Sequence, residues 1–159
     1  MARTTLPKAE PELTEATLTA SRAMLGVVAR SVAPALEKVS LPQLRVLVLL
    51  AAHGTTRSGT LAELVGVHAS TFSRTTDRLA AGGWVRRVPN PQSRRETLVE
   101  LTDTGRRLVA SVVQRRRTEM SAILRRVPVE DRPAVRAAFE AFAAAAGEPP
   151  LADLAVLGV

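Results

Sequence analysis

Between Thr60 and Leu101 the chain reads TLAELVGVHASTFSRTTDRLAAGGWVRRVPNPQSRRETLVEL, and the order of patterns here decides the fold. Leu61, Leu64 and Val65 recur at helical spacing and are expected to face inward. Thr60 and Glu63 stand at the spacing of a capping box, which places the helix start near Thr60. Gly66 permits a sharp turn. A second helix is predicted from about Ala69 to Ala81, with Phe72, Thr75 or Thr76, and Leu79 on its inner stripe. Its outer face shows Ser70, Thr71, Ser73, Arg74, Asp77 and Arg78. Two short, partly alternating runs, GWVRRV and ETLVEL, then predict a β-hairpin. Pro89, Asn90, Pro91 and Ser93 mark the loop between them as a turn, with Arg94 and Arg95 at its far edge.

Helix, sharp turn, helix and hairpin, in that order, is a helix-turn-helix followed by a wing. In such an arrangement the second helix lies in the major groove of DNA and presents its N-terminal side chains to base edges. Ser70, Thr71 and Ser73 are short enough to let the backbone approach closely. Arg74 has the length and planar fork to span O6 and N7 of a guanine, and Arg78 shares its face. The N-terminal end of the helix suits a phosphate. Asp77, one turn from Arg74 and adjacent to Arg78, is expected to brace an arginine. Without the hairpin, the same helix reads equally well as an amphipathic helix with a solvated polar face.

The flanks extend the helical pattern. Leu13, Ala16, Thr17, Ala20, Ala23, Met24, Val27 and Val28 outline a first helix from Pro11 that Pro34 limits or kinks. Leu18, Leu25 and Val32 widen its apolar surface, so it needs more than one neighbour, either its own chain or a partner subunit. A second helix starts at SLPQLRVLVLLAAHG, with Ser40 as N-cap, Pro42 in the first turn and Gly54 just past the end. Residues 55–59 read as a polar loop. Thr102 caps a long helix whose inner face is Leu108, Val112, Val113, Met120, Ile123, Leu124 and Val127, and which Pro128 stops. A final helix ends near Gly147. Residues 1–10 read as a loose arm, and the apolar tail 148–159 is expected to lie against the body or a partner. The fold class is therefore mainly α with a small β-hairpin wing, as one domain over 1–159. Its helices at 11–38 and 102–147 flank a winged lobe at 40–101.

Charge points the same way. The 22 basic residues exceed the 15 acidic ones, for a net charge of +7, and all the basic residues except Lys8 and Lys38 are arginine. Between Arg57 and Arg95 lie seven arginines (57, 74, 78, 86, 87, 94 and 95) against Glu63 and Asp77. A clustered basic patch is the footprint of a polyanion binder. Arg57, Arg78, Arg86 and Arg87 are candidates for phosphate contacts, with Thr60 as a further donor at a helix start. Aromatics make up only 3% of the chain, so the core is expected to be built from Leu, Val and Ala.

The motifs STFSRTTDRL and RR…LVELT..G, together with SLPQLRVLVLLAAHG before them, resemble the multiple antibiotic resistance regulator (MarR) family. The likeness is densest from Leu61 to Gly105. It implies a winged-helix homodimer on near-palindromic operators, its first and last helices interlocking, and half-sites about 10 bp apart. It also implies that Arg95, with Arg94 beside it, enters the minor groove, where focused negative potential attracts guanidinium. Release of the DNA by a small aromatic or phenolic acid is a further family trait. Ser93 departs from the family pattern, which has Asp two residues before that arginine, and Asn90 stands where Asp is common. Their lack of charge predicts a more mobile wing.

Other classes fare worse. The chain has no cysteine, which excludes disulfides and thiolate sites. It has two isolated histidines, His53 and His68, no metal-ligand set and no nucleophile–base constellation, so neither an enzyme nor a cofactor is expected. No signal peptide or membrane span is legible, and a cytoplasmic location is the expectation. The leading reading is a dimeric repressor that binds double-stranded DNA sequence-specifically and responds to an effector. The alternatives are an effector-independent architectural DNA binder and a winged helix that docks proteins.

Overall fold

The computed structural model describes residues 11–147, apart from the side chains of Arg94 and Arg95. The N-terminal arm and the C-terminal tail lie outside the described residues. Helix α1 (Pro11–Leu36) holds Pro34 in its last turn and ends two residues later. Helix α2 (Leu41–His53) begins as its sequence predicts: the Ser40 N–H donates to Gln43 Oε1 at 2.8 Å. Gly54, at φ +69°, closes it by donating to the Leu50 carbonyl.

The next segment departs from expectation. Thr56–Arg57 is a two-residue strand, β1, paired antiparallel with Val99 and Leu98. Helix α3 (Ser58–Val65) follows with no loop between, so Thr60 lies inside its first turn and the Thr60–Glu63 capping box does not form. The inner face also differs from expectation: Leu61 and Ala62 are buried and Val65 packs partly buried against the core, whereas Leu64 is 40% exposed. Gly66 adopts the left-handed conformation at φ +76°, and both it and Val67 donate to the Ala62 carbonyl at 3.0 Å. This pattern satisfies carbonyls that a helix end leaves free, and it needs a residue without a Cβ penalty.

Helix α4 (Ala69–Ala81) has the predicted bounds, and Phe72, Thr76 and Leu79 are its buried residues. Thr76 tolerates complete burial because its hydroxyl donates to the Phe72 carbonyl at 3.0 Å. Strands β2 (Val85–Asn90) and β3 (Ser93–Leu101) run further than the sequence indicates, leaving only Pro91 and Gln92 to turn the chain. The hairpin is thus part of a three-stranded antiparallel sheet in the order β1-β3-β2.

Thr102 caps helix α5 (Asp103–Leu124), its Oγ1 accepting from the Gly105 N–H at 3.1 Å. The helix ends four residues before Pro128, and Ile123 and Leu124 are exposed instead of inward. A 3-10 turn (Val129–Asp131) leads into helix α6 (Arg132–Ala145), which buries no residue within one chain. A single core joins Leu44, Val46, Leu47 and Leu50 of α2 to Leu61, Phe72, Leu79, Val85, Val99, Leu108 and Val112. The sheet and helix α4 are therefore mounted on one rigid body, not on separate modules.

Candidate nucleic-acid interface

Helix α4 carries its apolar residues on one stripe, which fixes what remains outside. Ser70, Thr71, Ser73, Arg74, Asp77 and Arg78 are all exposed. Arg74 and Arg78 have no ion-pair partner among the described residues. His68 occupies the N-cap position without a side-chain cap, so the first N–H groups of α4 are not covered by it.

The phosphate candidates divide into two sets. Arg57, Thr60 and Arg87 line one groove of about 560 Å³ between the start of α3, helix α4 and the hairpin, together with Ser58, Gly59, Glu63, Ser73, Glu96 and Thr97. Arg86 is not among them. It pairs across the ladder with Glu100, whereas Arg87 sits opposite Val99, and neighbours on a strand point to opposite faces. The adjacent arginines therefore lie on different faces of the sheet. The β3 backbone includes Arg94 and Arg95, the second and third residues past the turn; their side chains lie outside the described ones.

Most of the groove's cations are already paired. Asp77 Oδ1 lies 2.8 Å from Arg87 Nη1 in an ion pair, so the arginine it braces comes from the hairpin and not from its own helix. Arg57 Nε lies 3.4 Å from Glu96 Oε2. Glu96 Oε2 also accepts from Asn90 Nδ2 at 2.8 Å, and Asn90 Oδ1 accepts from the Gln92 N–H at 3.0 Å. Asn90, only 8% exposed, thus ties the turn to the Glu96 carboxylate and to the Gln92 backbone. Glu100 bonds to Arg86 and accepts from Thr55 Oγ1 at 3.0 Å. These bonds hold its carboxyl below the ordinary glutamate range, the Arg86 bond contributing most.

Glu96 and Glu100 were missed because the charge count stops at Arg95. Carried through Glu100, the same seven arginines face four carboxylates, not two. The legible signal was the alternation of β3, which sets Glu100 opposite Arg86. His53 and His68 are both exposed and far apart in sequence, and no metal-holding group of His, Cys, Asp or Glu occurs among the described residues. No helix among them is long and apolar enough to cross a membrane.

Comparison with known proteins gives this geometry a family. A profile of the MarR family matches residues 39–97. The crystal structure of RV1404 from Mycobacterium tuberculosis superposes with a TM-score of 0.79 at 39% identity, covering 92% of this chain and 100% of that one. The HTH-type transcriptional regulator YfiV of Bacillus subtilis is 30% identical over 97 residues, 61% of each chain. The multiple antibiotic resistance protein MarR of Salmonella typhimurium is 31% identical over 77 residues, 48% of this chain and 54% of that protein. The chain therefore spans 61% and 54% of the lengths of these two curated relatives. With a sharp glycine turn between α3 and α4, an exposed polar face on α4 and a paired hairpin beside it, the chain belongs to the MarR family of winged helix-turn-helix transcriptional regulators.

Proposed function

We propose that the protein is a homodimeric, sequence-specific binder of double-stranded DNA that represses transcription from near-palindromic operators in the cytoplasm. The observation that carries this reading is the outer face of α4, where Arg74 and Arg78 stand exposed, without an ion-pair partner among the described residues, beside three short hydroxyl residues. Seated in the major groove, Arg74 reads a guanine while Ser70, Thr71 and Ser73 allow close approach, and Arg78 contacts the backbone. The hairpin then follows the sugar–phosphate edge, and Arg94 and Arg95 enter the minor groove. Arg57, Thr60 and Arg87 supply phosphate contacts from the groove, and Arg86 contributes from the other face of the sheet.

A second copy is needed to cover the helical ends. In α1, Leu13, Leu18 and Leu25 are 63%, 53% and 65% exposed, and in α6 Phe139 and Phe142 are 44% and 58% exposed. Apolar surface of this extent on the first and last described helices favours an interlocked pair. Residues 11–38 and 102–147 form that dimerisation region in this reading, and 40–101 form the DNA-binding lobe. A small aromatic acid would release the operator by binding the DNA-competent and DNA-incompetent forms unequally.

Selection of bound duplexes from a random pool tests the reading. It predicts an inverted repeat with half-sites about one helical turn apart. Recovery of no sequence preference would favour an architectural binder, and retention of no duplex at low ionic strength would end the DNA-binding reading. Titration of the selected operator complex with small aromatic acids tests effector control.

A further inference from the structure

Arg57 stands at the mouth of the groove, at the junction of β1 and α3, and its guanidinium faces Glu96 on β3. Both side chains remain half exposed, at 53% and 41%, so the pair is open to exchange with solvent and with another anion. Glu96 is also fixed in place: the largely buried Asn90 donates to the same oxygen. Glu63 adds a second carboxylate to the groove, and the remaining cation there, Arg87, is held by Asp77. The groove thus presents two arginines, Arg57 and Arg87, each facing a carboxylate of the same chain that a phosphate would have to displace.

Resting on the DNA-binding reading, we propose that Glu96 is a specificity-determining residue that withholds Arg57 from phosphate. On a mismatched duplex the gain from one more phosphate contact must first displace Glu96. On the operator, contacts made by α4 press the backbone into the groove and drive the exchange. Asn90 keeps the carboxylate in position, so the competition does not depend on where the exposed glutamate happens to point. The partner displaced is a phosphate diester of the DNA backbone, which carries no base information. A free, uncontested Arg57 would strengthen binding to every sequence alike.

Glu96→Gln separates this role from bracing the wing, because the amide keeps an oxygen that accepts from Asn90 while it loses the charge. Binding to the selected operator and to a mixed-sequence duplex is measured by fluorescence anisotropy across a salt series, for wild type, Glu96→Gln, Arg57→Ala and the double variant. Glu96→Gln is expected to tighten mixed-sequence binding and to steepen the slope of log K against log salt by about 0.9 per subunit. For a dimer its advantage over wild type then grows about tenfold between 200 and 50 mM salt. In the Arg57→Ala background the substitution has no effect. Weaker binding, or an unchanged slope, would show that Glu96 serves only the wing and would overturn the proposal. A gain that persists without Arg57 would overturn it as well. If wild type binds neither duplex, the DNA-binding reading falls first and this inference falls with it.

Discussion

Gly105→Ala sets two effects of opposite sign against each other. Gly105 is the third residue of α5, and exchanging a helical glycine for alanine stabilises a helix by about 1 kcal/mol when nothing else intervenes. Here the new methyl would lie well inside van der Waals contact with the Trp84 carbonyl oxygen, 3.2 Å from the Trp84 carbonyl carbon and 3.1 Å from Leu101 Cδ2. The Trp84 backbone cannot easily yield. Its N–H donates to the Leu79 carbonyl at 2.9 Å, and its carbonyl accepts from the Thr102 N–H at 3.1 Å. Thr102 Oγ1 meanwhile donates to the Gly83 carbonyl at 2.6 Å, which clamps the start of α5 to the turn that follows α4. Overpacking against backbone costs about 1–3 kcal/mol or more, and a clash with a fixed carbonyl belongs at the upper end. Sterics should win by roughly 2 kcal/mol, lowering Tm by about 4–8 °C for a chain of this size. Thermal unfolding followed by circular dichroism, at matched protomer concentration, measures it. An unchanged or raised Tm would refute the claim that α5 and the sheet meet too closely for any side chain.

Three further outcomes follow from the same structure. Arg74→Ala should cost about 1–3 kcal/mol of operator affinity and abolish discrimination at one guanine, measured against operators changed base by base; equal loss on all of them would make Arg74 a backbone contact. Arg95→Ala should weaken binding most where the flanks are A·T-rich and the minor groove narrow, and unchanged affinity there would remove its minor-groove role. Glu100 is ionised to lower pH in the folded chain than when unfolded, chiefly through Arg86, so its contribution to stability is present above the ordinary value of 4.5 and fades as pH falls through the lowered one. Urea midpoints of wild type and Glu100→Gln should therefore converge on acidification below that range, and a gap that stays constant would contradict the assignment.

Helix α4 was legible to the residue because a strong 3.6-residue alternation and two flanking glycines mark it, and both signals are local. Its site face followed from the same alternation. Strand β1 was not legible: two residues carry no period, and they become a strand only because β3 runs alongside. That pairing places the start of α3 at Ser58, earlier than its sequence suggests. The exposure of α1 and α6 was half legible, since the excess of apolar faces shows in the sequence but the identity of what covers them does not. The ion pairs were hidden for a different reason. Arg57 and Glu96 are 39 positions apart, and Asp77 and Arg87 belong to different elements, so only the sheet register and the packing of hairpin on helix bring them together. Charge counted along a chain therefore overstated the field of the lobe, because charge on the folded surface is set by partners.

The central claim is that two copies of this chain grip one duplex through paired α4 helices. Sedimentation equilibrium of the protein with its selected operator at low ionic strength tests it most directly. The account predicts a free species of twice the 17.0 kDa chain mass and a complex of two chains on one duplex. A single-chain mass, or protein that sediments without the DNA, would contradict it.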